Sequence, residues 1–109
     1  MNNKVFKAKL RWIPKENGGR IGDIPYHNKK YGPIISVNGE RVIGGSEWSL
    51  LCCPYEKIDG EYTLAYIRYL NTEKAPDNLS PGTKIELFEG NKKVAIGEVI
   101  CSSDFNFKE

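Results

Sequence analysis

Residues 5–20 read VFKAKLRWIPKENGGR, a run that alternates between apolar and basic side chains and ends in two glycines and an arginine. An alternation with a period of two is typical of a β-strand that has one buried face and one exposed face. The predicted buried face carries Phe6, Ala8, Leu10 and Trp12, and the predicted exposed face carries Lys7, Lys9 and Arg11. Pro14 ends the regular pairing because proline has no amide hydrogen to donate. The run therefore predicts a half-buried first strand with a basic outer surface.

The glycine pair after this strand, Gly18 and Gly19, predicts a sharp bend where the chain leaves the sheet. Glycine adopts positive φ angles without the steric cost that other residues have. Arg20 follows directly, and its planar guanidinium group suits backbone carbonyls or a carboxylate. We expect Arg20 to hold the bend as a structural clamp and not to contact a ligand.

The rest of the chain is also divided into short strand-like runs by turn signals. Asn38-Gly39 lies between Ile34–Val37 and Glu40–Ile43 and predicts a hairpin, because a type I′ turn needs positive φ at both central residues. Pro54–Gly60 is predicted to be a turn, and residues 71–82 a long loop with two prolines. The remaining predicted strands are Glu47–Cys53, Glu61–Leu70, Thr83–Phe88 and Lys93–Cys101, the last two joined by a hairpin turn at Glu89–Lys92.

About seven short strands and no helix of ten or more residues indicate an all-β fold, either an antiparallel barrel or a sandwich. In the run Glu61–Leu70, we expect Thr63, Ala65, Ile67 and Tyr69 to share one face. One domain is predicted over residues 1–103. Residues 104–109 are predicted to be a loose C-terminal tail, with docking of Phe105 and Phe107 as a short edge strand as the alternative.

The composition excludes several classes of protein. The chain has 109 residues, of which 39% are hydrophobic and 28% charged, and this suits one soluble globular domain. Its net charge of +2 is small for a dedicated nucleic-acid binder. We expect a cytoplasmic location, since no apolar signal region or membrane-spanning run is present. Three cysteines fit a reducing compartment and do not form a disulfide framework.

The order of these motifs resembles the C-terminal β-barrel, or third domain, of translation elongation factor Tu and related translational GTPases. Residues 5–20 are similar to the family's opening strand and its Glu-Glu-Gly-Gly-Arg bend. DIPYHNKKYGPII, at Asp23–Ile35, resembles the loop that leads to a Tyr-x-Pro segment and the second strand. SPG at Ser80–Gly82 resembles a Pro-Gly turn, and LFEGNKKVAIGEVI at Leu87–Ile100 resembles the final hairpin. The resemblance implies a six-stranded Greek-key barrel with the bend in its first crossover.

The resemblance concerns the barrel and not the GTPase activity. No GxxxxGK[ST] phosphate-binding loop occurs in the chain, so we expect no nucleotide hydrolysis. In elongation factor Tu, this barrel contacts the T stem of aminoacyl-tRNA through polar residues near the Tyr-x-Pro segment. Here Gly32 and Ile34 stand where the family presents Arg and Gln, and Ala95 and Glu98 change the Gly-x-Gly of the final hairpin. These departures count against inherited tRNA binding.

Two functions are predicted from these features. The first is a non-catalytic binding module that acts through protein–protein contact, with Trp48 as an anchor if its side chain faces outward. The alternative is an RNA-binding module, for example for tRNA, connected with translation. In both cases the candidate contact residues are Lys7, Lys9, Arg11, Lys29, Lys30, Tyr31, Lys92 and Lys93. The RNA hypothesis requires these cations to gather on one face without intervening glutamates. Otherwise, lysines on outer strand faces serve solubility alone.

Catalytic chemistry is not predicted. His27 is the single histidine, and it lies in a loop without a nucleophile motif around it. Strand alternation predicts that Cys52 and Cys53 point in opposite directions, as one core thiol and one inert partner. Neither a metal nor a cofactor is expected, since no CxxC pair or paired-carboxylate site is present.

Overall fold

Six β-strands and one turn of 3₁₀ helix form the regular structure of residues 4–39, 48–73 and 75–107, which are the residues that the computed structural model describes. The strands are β1 (Val5–Trp12), β2 (Ile34–Val37), β3 (Trp48–Ile58), β4 (Tyr62–Tyr69), β5 (Lys84–Glu89) and β6 (Lys92–Ser103). The 3₁₀ turn, Lys15–Asn17, lies in the crossover between β1 and β2. No helix among the described residues is long and apolar enough to cross a membrane.

The six strands pair in the order β1-β4-β3-β2-β5-β6, and the sheet closes because β6 also pairs with β1. Every pairing is antiparallel. Strands β2, β3 and β4 are consecutive neighbours, and β1 lies beside β4, which is a Greek-key arrangement. The prediction of an all-β antiparallel Greek-key barrel is confirmed, and a sandwich of two separate sheets is excluded.

The predicted hairpin turn at Asn38-Gly39 has the backbone geometry that the sequence indicates. Asn38 has a φ of 52° and Gly39 a φ of 82°, so both central residues are in the left-handed region that a type I′ turn needs. The predicted return strand Glu40–Ile43 lies outside the described residues. The turn itself therefore follows the local sequence.

The predicted turn at Pro54–Gly60 is wrong, because β3 continues through Pro54 to Ile58. Pro54 opposes Ala65 of β4 and Glu56 opposes Leu64, so Tyr55 is an extra residue in a β-bulge. A bulge interrupts the ladder of hydrogen bonds, which lets a strand contain a proline. The actual turn is at Asp59-Gly60, where φ is 49° and 63°.

The core forms from the inward residues of the alternating strands. In β1 the inward side chains of Phe6, Ala8 and Leu10 are buried, and in β4 every second residue from Thr63 to Tyr69 is buried, as the sequence predicts. Trp48 is half-buried, packs on this core and makes an edge-on contact with the ring of Tyr69, with 6.0 Å between centroids. Trp48 is therefore a packing residue at the edge of the core and not an exposed anchor.

The C-terminal residues 104–107 are neither loose nor an edge strand. Strand β6 ends at Ser103, and the chain then turns so that the ring of Phe105 stacks on Tyr66 of β4, with 4.0 Å between ring centroids. Phe107 is 8% exposed. The described part of the tail is docked by its aromatic side chains.

Each of the two glycines in the bend is required for a different structural reason. Gly18 has a φ of 86° and ends the 3₁₀ turn, with its amide bonded to the carbonyl of Lys15. Gly19 is buried, and a Cβ atom at this position would overlap the backbone carbonyl of Ile13. Gly18 is needed for its conformation, and Gly19 is needed because the bend brings two backbone segments together.

Gly19→Ala is expected to destabilise the protein far more than Gly18→Ala. An alanine at Gly18 costs about 1–2 kcal/mol of left-handed strain. An alanine at Gly19 must displace backbone, which costs about 3 kcal/mol or more. Thermal unfolding, monitored by circular dichroism, measures the melting temperature of each variant. Each kcal/mol of lost stability should lower this temperature by about 4–8 °C. Equal melting temperatures for the two variants would contradict the assigned close contact.

Candidate interaction surfaces

A row of basic side chains runs along the outer face of β1, as the sequence predicts. Lys9 and Arg11 are exposed, and Lys7 is half-buried. The ammonium group of Lys9 lies 4.2 Å from the ring centroid of Tyr62 on β4, a favourable cation–π contact. Arg11 forms no ion pair within the described residues. Two different surfaces lie along this row: Lys9 and Arg11 line one that extends over β6, and Lys7 opposes Tyr66, which belongs to the other.

The surface over β6 contains a depression of about 560 Å³ that extends from Tyr62 of β4 across β1 and β6 to β5. We call it the β6 groove and define it by Lys9, Arg11, Lys84, Ile96, Glu98 and Ile100. Ile100 is 41% exposed, and Ile96 is half-buried. Ile100 follows the inward residue Val99 and therefore faces outward, on the same face as Ile96 and Glu98. It is also the extra residue of a β-bulge, because Ala8 opposes Val99 and Lys7 opposes Cys101. The groove therefore has an apolar floor and a charged rim.

The rim carries ion pairs of both signs. Glu98 opposes Lys9 on β1 and is ion-paired with Lys84, whose hydrogen bond lowers the pKa of the Glu98 carboxyl. Glu86 of β5 is paired with Lys93, with 2.6 Å between nitrogen and oxygen. Since these acids lie among the cations, the groove is not a continuous positive surface.

The other predicted contact residues do not join the row on β1. Lys29 lies over the ring of Phe105, 5.2 Å from its centroid, on the β4 side. Lys30 is exposed in the crossover loop, and its amide bonds to the side chain of Asn28. Lys92 and Lys93 lie at the start of β6, where Lys93 is engaged by Glu86. The structure thus distributes the predicted cations over several faces, with glutamates between some of them.

Arg20 lies at the centre of a small polar cluster that ties the crossover to the β5–β6 hairpin. Its Nε donates to Oε2 of Glu89 over 2.8 Å, and its Nη1 donates to the carbonyl of Asp23. The hydroxyl of Tyr31 donates to the same Glu89 oxygen over 2.7 Å. Burial, followed by the Glu89 hydrogen bond, raises the pKa of Tyr31. Tyr31, a predicted contact residue, is thus engaged inside the protein through its hydroxyl.

Arg20→Ala is expected to lower stability by about 1–3 kcal/mol, because it removes a charge-assisted hydrogen bond and leaves Glu89 with one donor fewer. The melting temperature should fall by about 4–20 °C. Arg11→Ala is the matched control, since Arg11 is exposed and unpaired in the described part of the chain, and its effect should be within about 0.5 kcal/mol. An unchanged melting temperature for Arg20→Ala would rule out the clamp role.

His27 is exposed in the crossover loop with a φ of 61°, and its amide donates to the carbonyl of Pro54. Its ring lies near Tyr26, with 6.4 Å between the ring centroids. Among the residues described, no cluster of three or more His, Cys, Asp or Glu side chains is arranged to hold a metal. His27 therefore has a structural contact through its backbone.

The two adjacent cysteines point in opposite directions, as strand alternation predicts, but both are buried. Cys52 belongs to the core, and burial raises the pKa of its thiol. Cys53 opposes the outward residue Tyr66 and is only 3% exposed. Burial raises the pKa of the Cys53 thiol too, while nearby Lys29 opposes this shift. Cys101 is half-buried. The three thiols should therefore differ in reactivity.

We expect one fast-reacting thiol in the folded protein, that of Cys101. With Ellman's reagent at about pH 8, Cys101 should react first, because thiols with raised pKa values provide little thiolate and buried thiols exclude the reagent. Cys52 and Cys53 should react only after denaturant is added. Cys101→Ser should remove the fast phase. A fast phase that persists in this variant would contradict the assignment.

Sequence reasoning did not find the β6 groove, because the groove depends on which strands lie beside β6, and the sequence pattern does not give that pairing. The available signal was weak: apolar residues occur at both parities along residues 93–101. Comparison with known proteins adds no identification, since neither a family model nor a curated protein matches this chain. The function must therefore be inferred from the surfaces themselves.

Proposed function

We propose that the protein is a non-catalytic binding module that acts through protein–protein contact, and that the β6 groove is its contact surface. The observation that carries this proposal is the exposed apolar floor of Ile96 and Ile100 within a rim of both charge signs. Protein interfaces commonly combine an apolar centre with a polar rim that selects the partner. A polypeptide, which can present apolar groups and charges of both signs, is more complementary to such a surface than a polyanion is.

The fold supports a barrel module that resembles the third domain of elongation factor Tu. The barrel has six strands in a Greek-key order, and the Gly18-Gly19-Arg20 bend lies in the first crossover, where the resemblance predicts it. Both features concern architecture. The resemblance enters the proposal as support for the type of module and not for a particular partner.

RNA binding is the second candidate, and the basic row on β1 favours it. Lys7, Lys9 and Arg11 follow one strand, and Tyr62 lies beside Lys9. Such a row suits phosphate contacts next to an aromatic ring. Glu98 opposes Lys9 directly and reduces the positive potential of the row. We therefore place protein contact first.

The proposal is tested with a photo-crosslinking amino acid placed at Ile100 and, as a matched control, at Leu70. Leu70 is 53% exposed and lies at the end of β4, away from the groove. In the cells that produce the protein, the probe at position 100 should give a discrete protein adduct. Adding Lys84→Glu should weaken this adduct, because the charge of the rim is changed.

Two outcomes would count against protein contact through the groove. The first is an equal set of adducts from positions 100 and 70. The second is an adduct with RNA from position 100, together with anisotropy binding of labelled tRNA that survives physiological salt and is lost when Lys7, Lys9 and Arg11 are replaced by glutamate. That second result would place RNA binding first.

A further inference from the structure

The surface on the β4 side of the basic row carries a stack of aromatic rings. The ring of Tyr55 stacks on that of Tyr66, with 4.2 Å between centroids and an interplanar angle of 16°. Phe105 stacks on Tyr66 at 4.0 Å and 3°, and Phe107 meets Phe105 edge-on at 5.0 Å and 90°. Two of these rings, Tyr55 and Tyr66, come from the sheet. The other two come from the C-terminal segment.

Two cations flank the phenylalanines. The ammonium group of Lys29 lies 5.2 Å from the ring centroid of Phe105, and the guanidinium carbon of Arg68 lies 5.7 Å from that of Phe107. We call Tyr55, Tyr66, Lys29 and Arg68 the aromatic platform. Burial raises the pKa of Tyr55 to about 12, so its ring is neutral at physiological pH. The platform is therefore apolar at its centre and positive at its edge.

The bound segment shows which chemistry the platform accepts. The sequence Asp104-Phe105-Asn106-Phe107 presents one acid and two aromatic rings spaced two residues apart. This spacing lets alternate side chains of an extended segment reach the same surface. Phe107 is buried and Phe105 is half-buried. The platform holds Phe105 and Phe107 by stacking and cation–π contacts, and its positive edge suits an acid such as the exposed Asp104.

The segment is held mainly through its side chains. No main-chain hydrogen bond joins Phe105 or Phe107 to a strand within the part of the chain that the structure describes. The amide of Phe105 bonds locally, to the hydroxyl of Ser103. The contacts that hold Phe105 and Phe107 on the platform are therefore those of their rings.

We propose that the aromatic platform is a docking site for a segment of a partner protein with the pattern acid–aromatic–polar–aromatic, and that the chain's own residues 104–107 occupy it as a built-in competitor. None of the four platform residues lines the β6 groove, so the inference goes beyond the proposed function. The chain's own segment is present at high effective concentration. The apparent affinity for a partner segment is reduced accordingly.

The test uses a fluorescein-labelled peptide with the chain's own C-terminal sequence, SSDFNFKE. Its binding is measured by anisotropy to the wild-type protein and to the variant Phe105→Ala/Phe107→Ala, in which the built-in competitor lacks its rings. The double variant should bind the peptide at least about tenfold more tightly than the wild type does, because its platform is vacant. A peptide with both phenylalanines replaced by alanine should not bind.

Tyr66→Ala, added to the double variant, identifies the surface. Peptide binding should be lost in this triple variant, whereas adding Tyr62→Ala, on the same strand but outside the platform, should preserve it. Retained binding in the Tyr66→Ala background would overturn the proposal, and so would equal affinity of the wild type and the double variant. Absence of peptide binding by a folded double variant would also overturn it.

Two further results complete the test. If circular dichroism shows that the double variant is unfolded, Phe105→Ala alone replaces it, with the same expectations and the same contradicting outcomes. If the wild-type protein forms a concentration-dependent dimer that Phe105→Ala abolishes, the platform takes the tail of a second copy, and the proposal of a different partner is wrong. Neither result depends on crosslinking at the β6 groove, so the two proposals fail independently.

Discussion

The pairing of β1 with both β4 and β6 is the constraint on which the rest of the structure depends. One edge of β1 completes the Greek key, and the other edge closes the barrel. Its inward residues, Phe6, Ala8 and Leu10, are thereby surrounded by sheet and become core. On its outward face, Lys9 and Arg11 line the β6 groove, and Lys7 opposes Tyr66 of the aromatic platform. Both candidate surfaces therefore depend on the position of this strand.

Each surface contains the extra residue of a β-bulge. Ile100 is the extra residue between Val99 and Cys101 in β6, and Tyr55 is the extra residue between Pro54 and Glu56 in β3. Strand alternation already places both side chains on the outer face, and the bulge changes the facing of the residues that follow. The two bulges therefore set where each strand's regular outward pattern is interrupted.

The sequence predicted best those features that are determined by interactions between residues close together in the chain. The alternation in β1 and β4, the Asn38-Gly39 turn and the all-β architecture follow from side-chain period and backbone sterics, and the structure confirms them. The chain's path through Pro54 was not predictable in this way, because a proline is tolerated there only when a register shift with β4 removes the need for its amide. The docking of Phe105 depends on Tyr66, which is far away in sequence. Long-range partners of this kind have no local signature, and the candidate surfaces depend on them.

The position of β1 in the barrel also has a consequence for the growing polypeptide. As the chain is made, β1 precedes the other five strands, yet its first partner, β4, appears only after more than half of the chain, and β6 comes last. Until then both edges of β1 are unpaired, and unpaired strands with an apolar face readily associate with other chains. The positive charges of Lys7, Lys9 and Arg11 repel the same charges on the unpaired β1 strands of other chains. We therefore expect the basic row to oppose association between nascent chains during this interval.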